Sequence, residues 1–108
     1  MNVRHEDDVP TIEMAKGVRR RLLTSHDRLM LIQFEIQGGT VVPEHKHESE
    51  QAGYVLEGRF EVVIGGVKHI LGPGHCYLIP SNVPHSGFVH EDVRFVDVYS
   101  PPRPEYAE

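Results

Sequence analysis

The sequence predicts a single all-β domain, folded as an antiparallel barrel or sandwich. About nine short runs of strand-forming residues follow one another, and Gly, Pro, Asn and Asp separate them at regular intervals. No segment has a convincing helical pattern, and no internal repeat interrupts the series. The 108 residues are enough to bury roughly two thirds of the unfolded surface in one core, but too few for a second core.

The chain divides into an N-terminal arm, residues 1–16, and a β-barrel domain, residues 17–108, that includes the C-terminal tail. In the segment 28–36, apolar residues alternate with Gln33 and Glu35, as in a half-buried strand. The predicted strands span residues 18–24, 28–36, 53–57, 60–64, 67–71, 75–79, 85–90 and 93–99.

Glycine and proline mark the turns between these strands. The glycine pair 65–66 supplies positive φ for a two-residue hairpin turn. We expect a strand reversal at residues 57–58, which are Glu-Gly, and a turn at residues 80–82, which are Pro-Ser-Asn. The proline-rich segment 101–104 ends regular strand pairing, because proline cannot donate a hydrogen bond to a sheet.

Composition argues against several classes of function. The net charge is -5, and no basic patch with interleaved aromatic residues is present, so nucleic acid is not an expected partner. The only basic run, Arg19-Arg20-Arg21, is interpreted as the alternating faces of a strand. No apolar stretch approaches the ~18 residues that a membrane span needs, and residues 1–8 are polar and acidic, unlike a signal peptide.

The single cysteine, Cys76, cannot form an internal disulfide bond. This is compatible with a reducing compartment, and we expect a cytoplasmic protein. Because residues 77–79 are aromatic or aliphatic, we also predict a buried strand position for Cys76 rather than a reactive thiol.

Four side chains, His45, His47, Gln51 and His85, are spaced like the ligands of one metal ion. Alternate side chains of an extended strand point the same way, so His45 and His47 would share a face. The reversals predicted between residues 57 and 82 would fold His85 back beside them. Imidazole suits zinc, copper, iron or nickel, and the amide oxygen of Gln51 is a weaker, neutral fourth donor. The other five histidines have no ligand spacing.

A carboxylate stands among apolar residues near the C-terminal end of the chain. Period-two alternation places Asp97 on one strand face with Phe95 and Tyr99, and Val96 and Val98 on the other. If the first face lines the barrel cavity, burial would raise the pKa of Asp97 towards neutrality and suit it to general acid-base catalysis. If the two valines form the core instead, Asp97 faces water. Alternation alone leaves both arrangements open.

Arg103 follows a Pro-Pro pair that stiffens its backbone. A guanidinium held at the mouth of a cavity can bind a substrate carboxylate through two parallel hydrogen bonds. The alternative is a solvated arginine in the C-terminal tail.

Residues 39–89 carry these histidines inside two Gly/Pro-framed motifs, and there the sequence resembles the cupin superfamily. The segments HKHESEQAGYVLEG, LGPGHCYLIPSNVPH and DVYSPPR together look like the small pectin-degradation cupins, from about residue 39 to 103. The resemblance implies a single cupin barrel, which is a double-stranded β-helix or jelly roll. The implied metal ligands are His45, His47, Gln51 and His85, and the implied catalytic residues are Asp97, Arg103 and Tyr99.

Three positions depart from common cupin patterns. Gln51 stands where most metal-binding cupins have glutamate, although glutamine is normal in the pectin-degradation group. Val89 stands where the second motif often ends in asparagine, which is not a ligand position. Tyr99 stands where the group commonly has phenylalanine, so it adds a hydroxyl group.

The resemblance implies a metal-dependent enzyme that converts 4,5-unsaturated uronate monosaccharides to linear 5-keto-4-deoxyuronate. Its cofactor would be one divalent transition metal ion: nickel, zinc, iron, cobalt or manganese. Its partners would be a small acidic sugar and a second copy of the chain, with no nucleic acid and no membrane. For the homodimer, the open sheet edge expected at residues 18–36 would pair between chains.

Two other functions stay open at this point. Three histidines and an open metal edge would also suit a dioxygenase, whose chemistry needs no pair of Asp97 and Arg103. A metal-dependent binding module, which senses a small acid and catalyses nothing, is the other alternative.

Overall fold

The computed structural model describes residues 2–107, which form eight β-strands and two short 3₁₀ turns. The strands are β1 (Ile12–Ala15), β2 (Val18–Ser25), β3 (Met30–Ile36), β4 (Val41–His45), β5 (Glu50–Ile64), β6 (Val67–Leu71), β7 (Cys76–Ile79) and β8 (His85–Ser100). The 3₁₀ turns are Glu6–Asp8 and Pro104–Tyr106. The predicted all-β class is confirmed. No helix in residues 2–107 is long and apolar enough to cross a membrane.

The two longest strands, β5 and β8, organise the fold because each belongs to both halves of the sheet. The first half of β5 pairs with the second half of β8, and β7 and the series β3, β2, β1 extend this layer on either side. The second half of β5 pairs with the first half of β8, and β6 and β4 extend that layer. All pairs are antiparallel, and the two layers face each other as in a jelly roll.

The inner faces of the two layers meet in a hydrophobic core. Phe95 of β8 stacks on Phe34 of β3 and on Phe60 of β5, with 5.3 Å between ring centroids in each pair. Phe60 lies in the half of β5 that belongs to the opposite layer, so the stack joins the two layers. Burying a large apolar side chain of this kind stabilises the fold by about 1.5–3 kcal/mol. The aromatic stack is therefore a main contact between the layers.

The strand reversal predicted at residues 57–58 is wrong, because β5 continues through them to Ile64. Its register against β8 shifts around Glu57 and Arg59, and Gly58 has a φ of 85°. A positive φ serves a bulge as well as a reversal, and here the bulge bends the strand from one layer into the other. The predicted strands 85–90 and 93–99 likewise form one continuous strand, β8.

The other two turn predictions are confirmed. Gly65 and Gly66, with φ of 56° and 82°, join β5 to β6 in a tight hairpin. At the turn after β7, the Val83 amide donates to the Pro80 carbonyl at 3.2 Å. The buried position predicted for Cys76 is wrong: Cys76 is exposed because Tyr77 and Ile79 have the parity that points inward on β7.

The described part of the predicted arm, residues 2–16, is anchored to the sheet. Its strand β1 pairs with β2, Val9 is buried, and the Gln33 side chain donates to Glu6 at 2.8 Å. Because β2 pairs with both β1 and β3 of its own chain, the open edge expected at residues 18–36 is occupied. The boundary between arm and domain at residue 17 stays a prediction.

We expect Gly58→Ala to destabilise the protein more than Gly74→Ala. The two glycines have φ of 85° and 87°, so alanine costs about 1–2 kcal/mol of backbone strain at either position. A Cβ at residue 58 would also overlap the Asp92 carbonyl oxygen, whereas nothing lies within 4 Å of one at residue 74. Urea denaturation should therefore show an extra loss of at least about 2 kcal/mol for Gly58→Ala. Equal losses of stability in the two variants would contradict the close approach of β5 to β8 at Gly58.

Candidate metal centre and cavity

Three histidines meet at one end of the barrel. His45 is the last residue of β4 and His85 the first of β8, and the two are cross-strand partners with ring centroids 4.2 Å apart. His47 follows β4 in a loop, rather than lying in the strand as expected, and its ring centroid is 4.9 Å from that of His85. One nitrogen from each ring lies within 4.8 Å of the other two. The structure thus brings together three of the four predicted ligands in a cluster that could hold a metal ion.

The hydrogen bonds of these rings define which nitrogen faces the cluster centre. In each of the three, Nδ1 lies 2.8–2.9 Å from a backbone carbonyl oxygen, the partners being Pro43, Ser49 and Val83. Because a carbonyl only accepts, Nδ1 carries the proton and Nε2 presents a lone pair. The Nε2 of His85 is buried and has no hydrogen-bond partner among the described residues. This donor set fits a transition metal, since a carbonyl oxygen that accepts from Nδ1 of each ring is a usual way to orient such ligands.

Gln51, at the start of β5, completes the cluster. Its side chain is buried, and its Nε2 donates to Oδ2 of Asp97 at 2.9 Å. This bond turns Oε1 towards His47, where it lies 3.1 Å from Nε2. If His47 carries its proton on Nδ1, the facing nitrogen and oxygen are both acceptors and repel each other. A cation between them would remove that repulsion, so the fourth predicted ligand also has a suitable position and orientation.

The electrostatics of the cluster favour neutral imidazoles. Burial lowers the pKa of His47 and His85, and the positive charge of Arg103 lowers both further. A neutral imidazole is the form that binds metal ions. Burial and the charge of Arg103 thus favour the metal-binding form of His47 and His85.

Asp97 lies on the inner face of β8 and is 1% exposed, so the cavity-facing arrangement is the one the structure has. Its Oδ1 accepts from the Tyr77 hydroxyl, and its Oδ2 accepts from the Tyr99 hydroxyl at 3.2 Å and from Gln51. Burial raises the pKa of Asp97 to about 7, although the three hydrogen bonds act in the opposite direction. Both protonation states of this carboxyl are accordingly populated near neutral pH.

Two residues at this site were not predicted. Tyr77 is a direct partner of Asp97, and its inward parity on β7 was the only sequence signal for it. Gly53 is the cross-strand partner of Asp97, and a Cβ there would overlap both the Tyr77 ring and the carboxylate. Glycine at this position therefore provides the room for the contact between Tyr77 and Asp97.

Arg103 is not a solvated tail residue. Its side chain is 15% exposed, and Nη1 donates to the Tyr106 hydroxyl at 3.0 Å. The guanidinium carbon lies 4.7 Å from the Tyr106 ring centroid and 5.8 Å from that of Tyr99. Glu105 forms an ion pair with Nη2, so this nitrogen of the guanidinium already has a carboxylate partner.

A cavity of about 170 Å³ lies between the two layers. Its polar lining includes His45, Gln51, Tyr77, His85, Ser86, Asp97, Tyr99 and Tyr106, and the rest is mostly aliphatic and aromatic. This volume is below the ≈ 300–1,000 Å³ of pockets for drug-sized ligands, so the cavity suits a ligand of about one small ring.

The family model described as "Cupin domain" matches residues 32–99. The chain is 34% identical over 103 residues to the pectin degradation protein KdgF of Dickeya dadantii (strain 3937), covering 94% of each chain. The solved structure of KdgF from Halomonas sp. matches with a TM-score of 0.90 and 28% identity, covering 95% of this chain and 96% of that one. The polyketide cyclase RemF from Streptomyces resistomycificus matches with a TM-score of 0.80 and 34% identity, covering 96% of this chain and 82% of that one.

The family match covers more than half of the chain, and the match to the Dickeya protein covers nearly all of it. The resemblance to pectin-degradation cupins is therefore confirmed over both the motifs and the rest of the fold. The chain belongs to the cupin family.

Proposed function

We propose that this protein is a metal-dependent isomerase that opens the ring of 4,5-unsaturated uronate monosaccharides and yields linear 5-keto-4-deoxyuronate. The observation that carries the proposal is the buried carboxyl of Asp97, hydrogen-bonded to Gln51 beside the histidine cluster. The similarity to two proteins named KdgF, one of them described as a pectin degradation protein, supports the choice of substrate.

In this proposal, His45, His47, Gln51 and His85 hold one divalent transition metal ion: nickel, zinc, iron, cobalt or manganese. All four donors are neutral, so the ion keeps its full positive charge. Such an ion would supply Lewis acidity towards ring and hydroxyl oxygens of the sugar.

The proposed reaction needs one proton transfer and no redox change. The C1 hydroxyl loses its proton, the bond between C1 and the ring oxygen breaks, and C1 becomes a carbonyl. The electrons of the former enol ether then form the C5 ketone as C4 gains a proton. Asp97 takes the proton from the C1 hydroxyl and delivers it to C4. Burial raises the pKa of this carboxyl towards neutrality, which suits it both to accept and to donate a proton.

Two further residues orient the sugar. Arg103 binds the uronate carboxylate in place of Glu105, through its planar fork of donors. Tyr99 packs against the sugar ring, and its hydroxyl holds Asp97 at 3.2 Å, which phenylalanine could not do. The carboxylate on C5 is therefore held in place while the proton moves from the C1 hydroxyl to C4, the carbon next to C5.

The two alternative functions make different demands on the site. A dioxygenase would consume oxygen, and a binding module would retain the uronate unchanged. Neither alternative function requires a buried carboxyl like that of Asp97, hydrogen-bonded to Gln51 of the proposed metal site. A cytoplasmic location stays a prediction from the sequence.

We expect His85→Ala to lose the metal ion and His69→Ala to keep it. His85 contributes the buried, unpartnered Nε2, whereas His69 is exposed on β6 and outside the cluster. Elemental analysis should find about one ion per chain in wild type and His69→Ala, and little in His85→Ala. Adding metal should raise the melting temperature only of the proteins that bind it. Equal metal content in the two variants would exclude the cluster as the site.

We expect Asp97→Asn to abolish turnover while the metal ion stays bound. The asparagine oxygen still accepts from Gln51, so the cluster keeps its orientation, but the amide cannot carry the proton. The ultraviolet absorbance of the substrate double bond should fall with metal-loaded wild type, and about 10²–10⁴-fold more slowly with Asp97→Asn.

Two controls accompany this assay. Chelator-stripped wild type should be inactive, and Asp27→Asn, at an exposed turn, should be as active as wild type. Unchanged turnover in Asp97→Asn would remove Asp97 from the mechanism. No loss of absorbance with fully metal-loaded wild type would refute the proposed reaction, and oxygen uptake or binding without product would support an alternative.

We also propose a homodimer, formed across the outer face of the layer that contains β7, the first half of β5 and the second half of β8. Tyr54 and Leu78 are 51% and 59% exposed on this face, beside the half-buried Val96 and Val98. The N-terminal arm covers the neighbouring surface of β3 through Glu6 but leaves this patch open. Such a contiguous apolar patch is typical of a protein interface.

Light scattering at micromolar concentration should therefore give the mass of a dimer. Leu78→Glu should produce monomers, because it places a charge in the apolar contact. Val67→Glu is the matched control: Val67 is 57% exposed but lies on β6, in the opposite layer. A monomeric wild type would remove the dimer, and equal effects of the two substitutions would remove this face as the interface.

A further inference from the structure

Arg20 differs from the other two arginines of its run. Arg19 pairs with Glu35 at 2.8 Å and Arg21 with Glu6 at 4.0 Å, and both are on the outer face of β2. Arg20 points inward and is 9% exposed. It forms no ion pair with a carboxylate of residues 2–107, and its buried Nε has no hydrogen-bond partner there.

A buried guanidinium is expensive, since it stays charged at all physiological pH values and loses its hydration. The contact that it does make is with an aromatic ring: the guanidinium carbon lies 5.5 Å from the ring centroid of Tyr106. Cation–π contacts of desolvated groups contribute about 2 kcal/mol or more. Arg20 is therefore placed to hold Tyr106.

Tyr106 lies in the C-terminal 3₁₀ turn and lines the cavity. Its ring packs against those of Phe34 and Tyr99, at 5.5 and 5.6 Å between centroids. Arg103 contacts the same tyrosine twice, through its guanidinium at 4.7 Å from the ring centroid and through the hydrogen bond to the hydroxyl. Arg20, Tyr106 and Arg103 thus form a continuous series from β2 to the C-terminal tail.

This series matters because little else ties the tail to the barrel. After β8 ends, Ser49 donates to the Pro101 carbonyl. The hydrogen-bond and ion-pair partners of Arg103 are within the tail itself, and its contact with the barrel is the longer one to the Tyr99 ring, at 5.8 Å. Tyr106 is the tail residue that packs on the aromatic rings of the barrel. The position of Arg103 consequently depends on what holds Tyr106.

We propose that Arg20 is a positioning residue: it holds Tyr106 over the cavity and thereby fixes Arg103 where it binds the carboxylate of an acidic sugar. This inference rests on the proposed function for the identity of the ligand. A well-placed Arg103 would favour a substrate with a carboxylate over a neutral sugar, in a chain whose net charge is -5.

The test measures binding and turnover separately, with metal-loaded protein. Galacturonate, a saturated uronate that cannot react, is titrated by calorimetry, with galactose as the neutral control. Arg20→Met keeps the apolar stem but removes the charge and the cation–π contact. We expect it to bind galacturonate about tenfold more weakly and to raise KM for the unsaturated uronate similarly, with kcat within about threefold. Binding of galactose and metal content should not change.

Three variants separate positioning from a general loss of structure. Arg20→Lys should restore most of the affinity, because an ammonium group also binds an aromatic face. Arg19→Met should bind like wild type, since Arg19 faces solvent. The double variant Arg20→Met/Tyr106→Leu should bind no more weakly than Tyr106→Leu alone, because Arg20 acts through that ring.

Wild-type affinity and KM in Arg20→Met, or additive effects in the double variant, would overturn the positioning role. If Arg20→Met does not fold, non-additivity between Arg20→Lys and Tyr106→Leu decides the matter instead. Arg20-dependent binding of galacturonate without turnover would support the positioning role and refute the proposed reaction. Turnover by wild type with an unchanged KM in Arg20→Met would support the proposed reaction and refute the positioning role. A wild type that neither binds galacturonate nor converts the unsaturated uronate would overturn both the reaction and the positioning role.

Discussion

The hydrogen bond from Gln51 to Asp97 is the interaction on which the site depends. It joins the start of β5 to the end of β8, and it orients the amide oxygen towards His47. It also gives a physical reason for an amide at a position where most metal-binding cupins have glutamate. A carboxylate at residue 51 would lie against that of Asp97, and two such groups at this distance cannot both be ionised without a large cost. The proposed role of Asp97 as an acidic proton carrier is therefore compatible with a neutral side chain, rather than a carboxylate, at residue 51.

The fold makes this contact possible because β5 and β8 are neighbours along most of their length. Gln51 lies opposite Tyr99, and Gly53 lies opposite Asp97, so register alone places the ligand and the carboxyl side by side. Tyr77 reaches Asp97 from β7 through the space left by Gly53. Family membership does not by itself choose the reaction, since a KdgF and a polyketide cyclase both match at 34% identity. The proposed uronate ring opening is supported by these side chains together with the similarity to KdgF proteins.

Features of the fold that depend on residues close together in the sequence were predicted from local sequence patterns. The glycine pair 65–66 fixed a hairpin, and motif spacing located the histidine cluster. Strand alternation placed Asp97 and Tyr99 on one face but could not decide which face is buried, because a period of two defines parity only. Gly58 was misread since a positive φ suits both a turn and a bulge. Alternation within the basic run agrees with the inward position of Arg20, but its contact with Tyr106 could not be predicted because it joins the two ends of the chain.

The central claim is that one positioned carboxyl delivers the proton to C4, and isotope incorporation tests it most directly. Metal-loaded protein is mixed with the unsaturated uronate in D₂O, and proton NMR follows the two C4 positions of the product. Delivery by Asp97 from its fixed place on β8 predicts that deuterium enters one of the two positions during turnover. Equal labelling of both positions would mean that the enol leaves the cavity before it gains a proton, and would contradict the account.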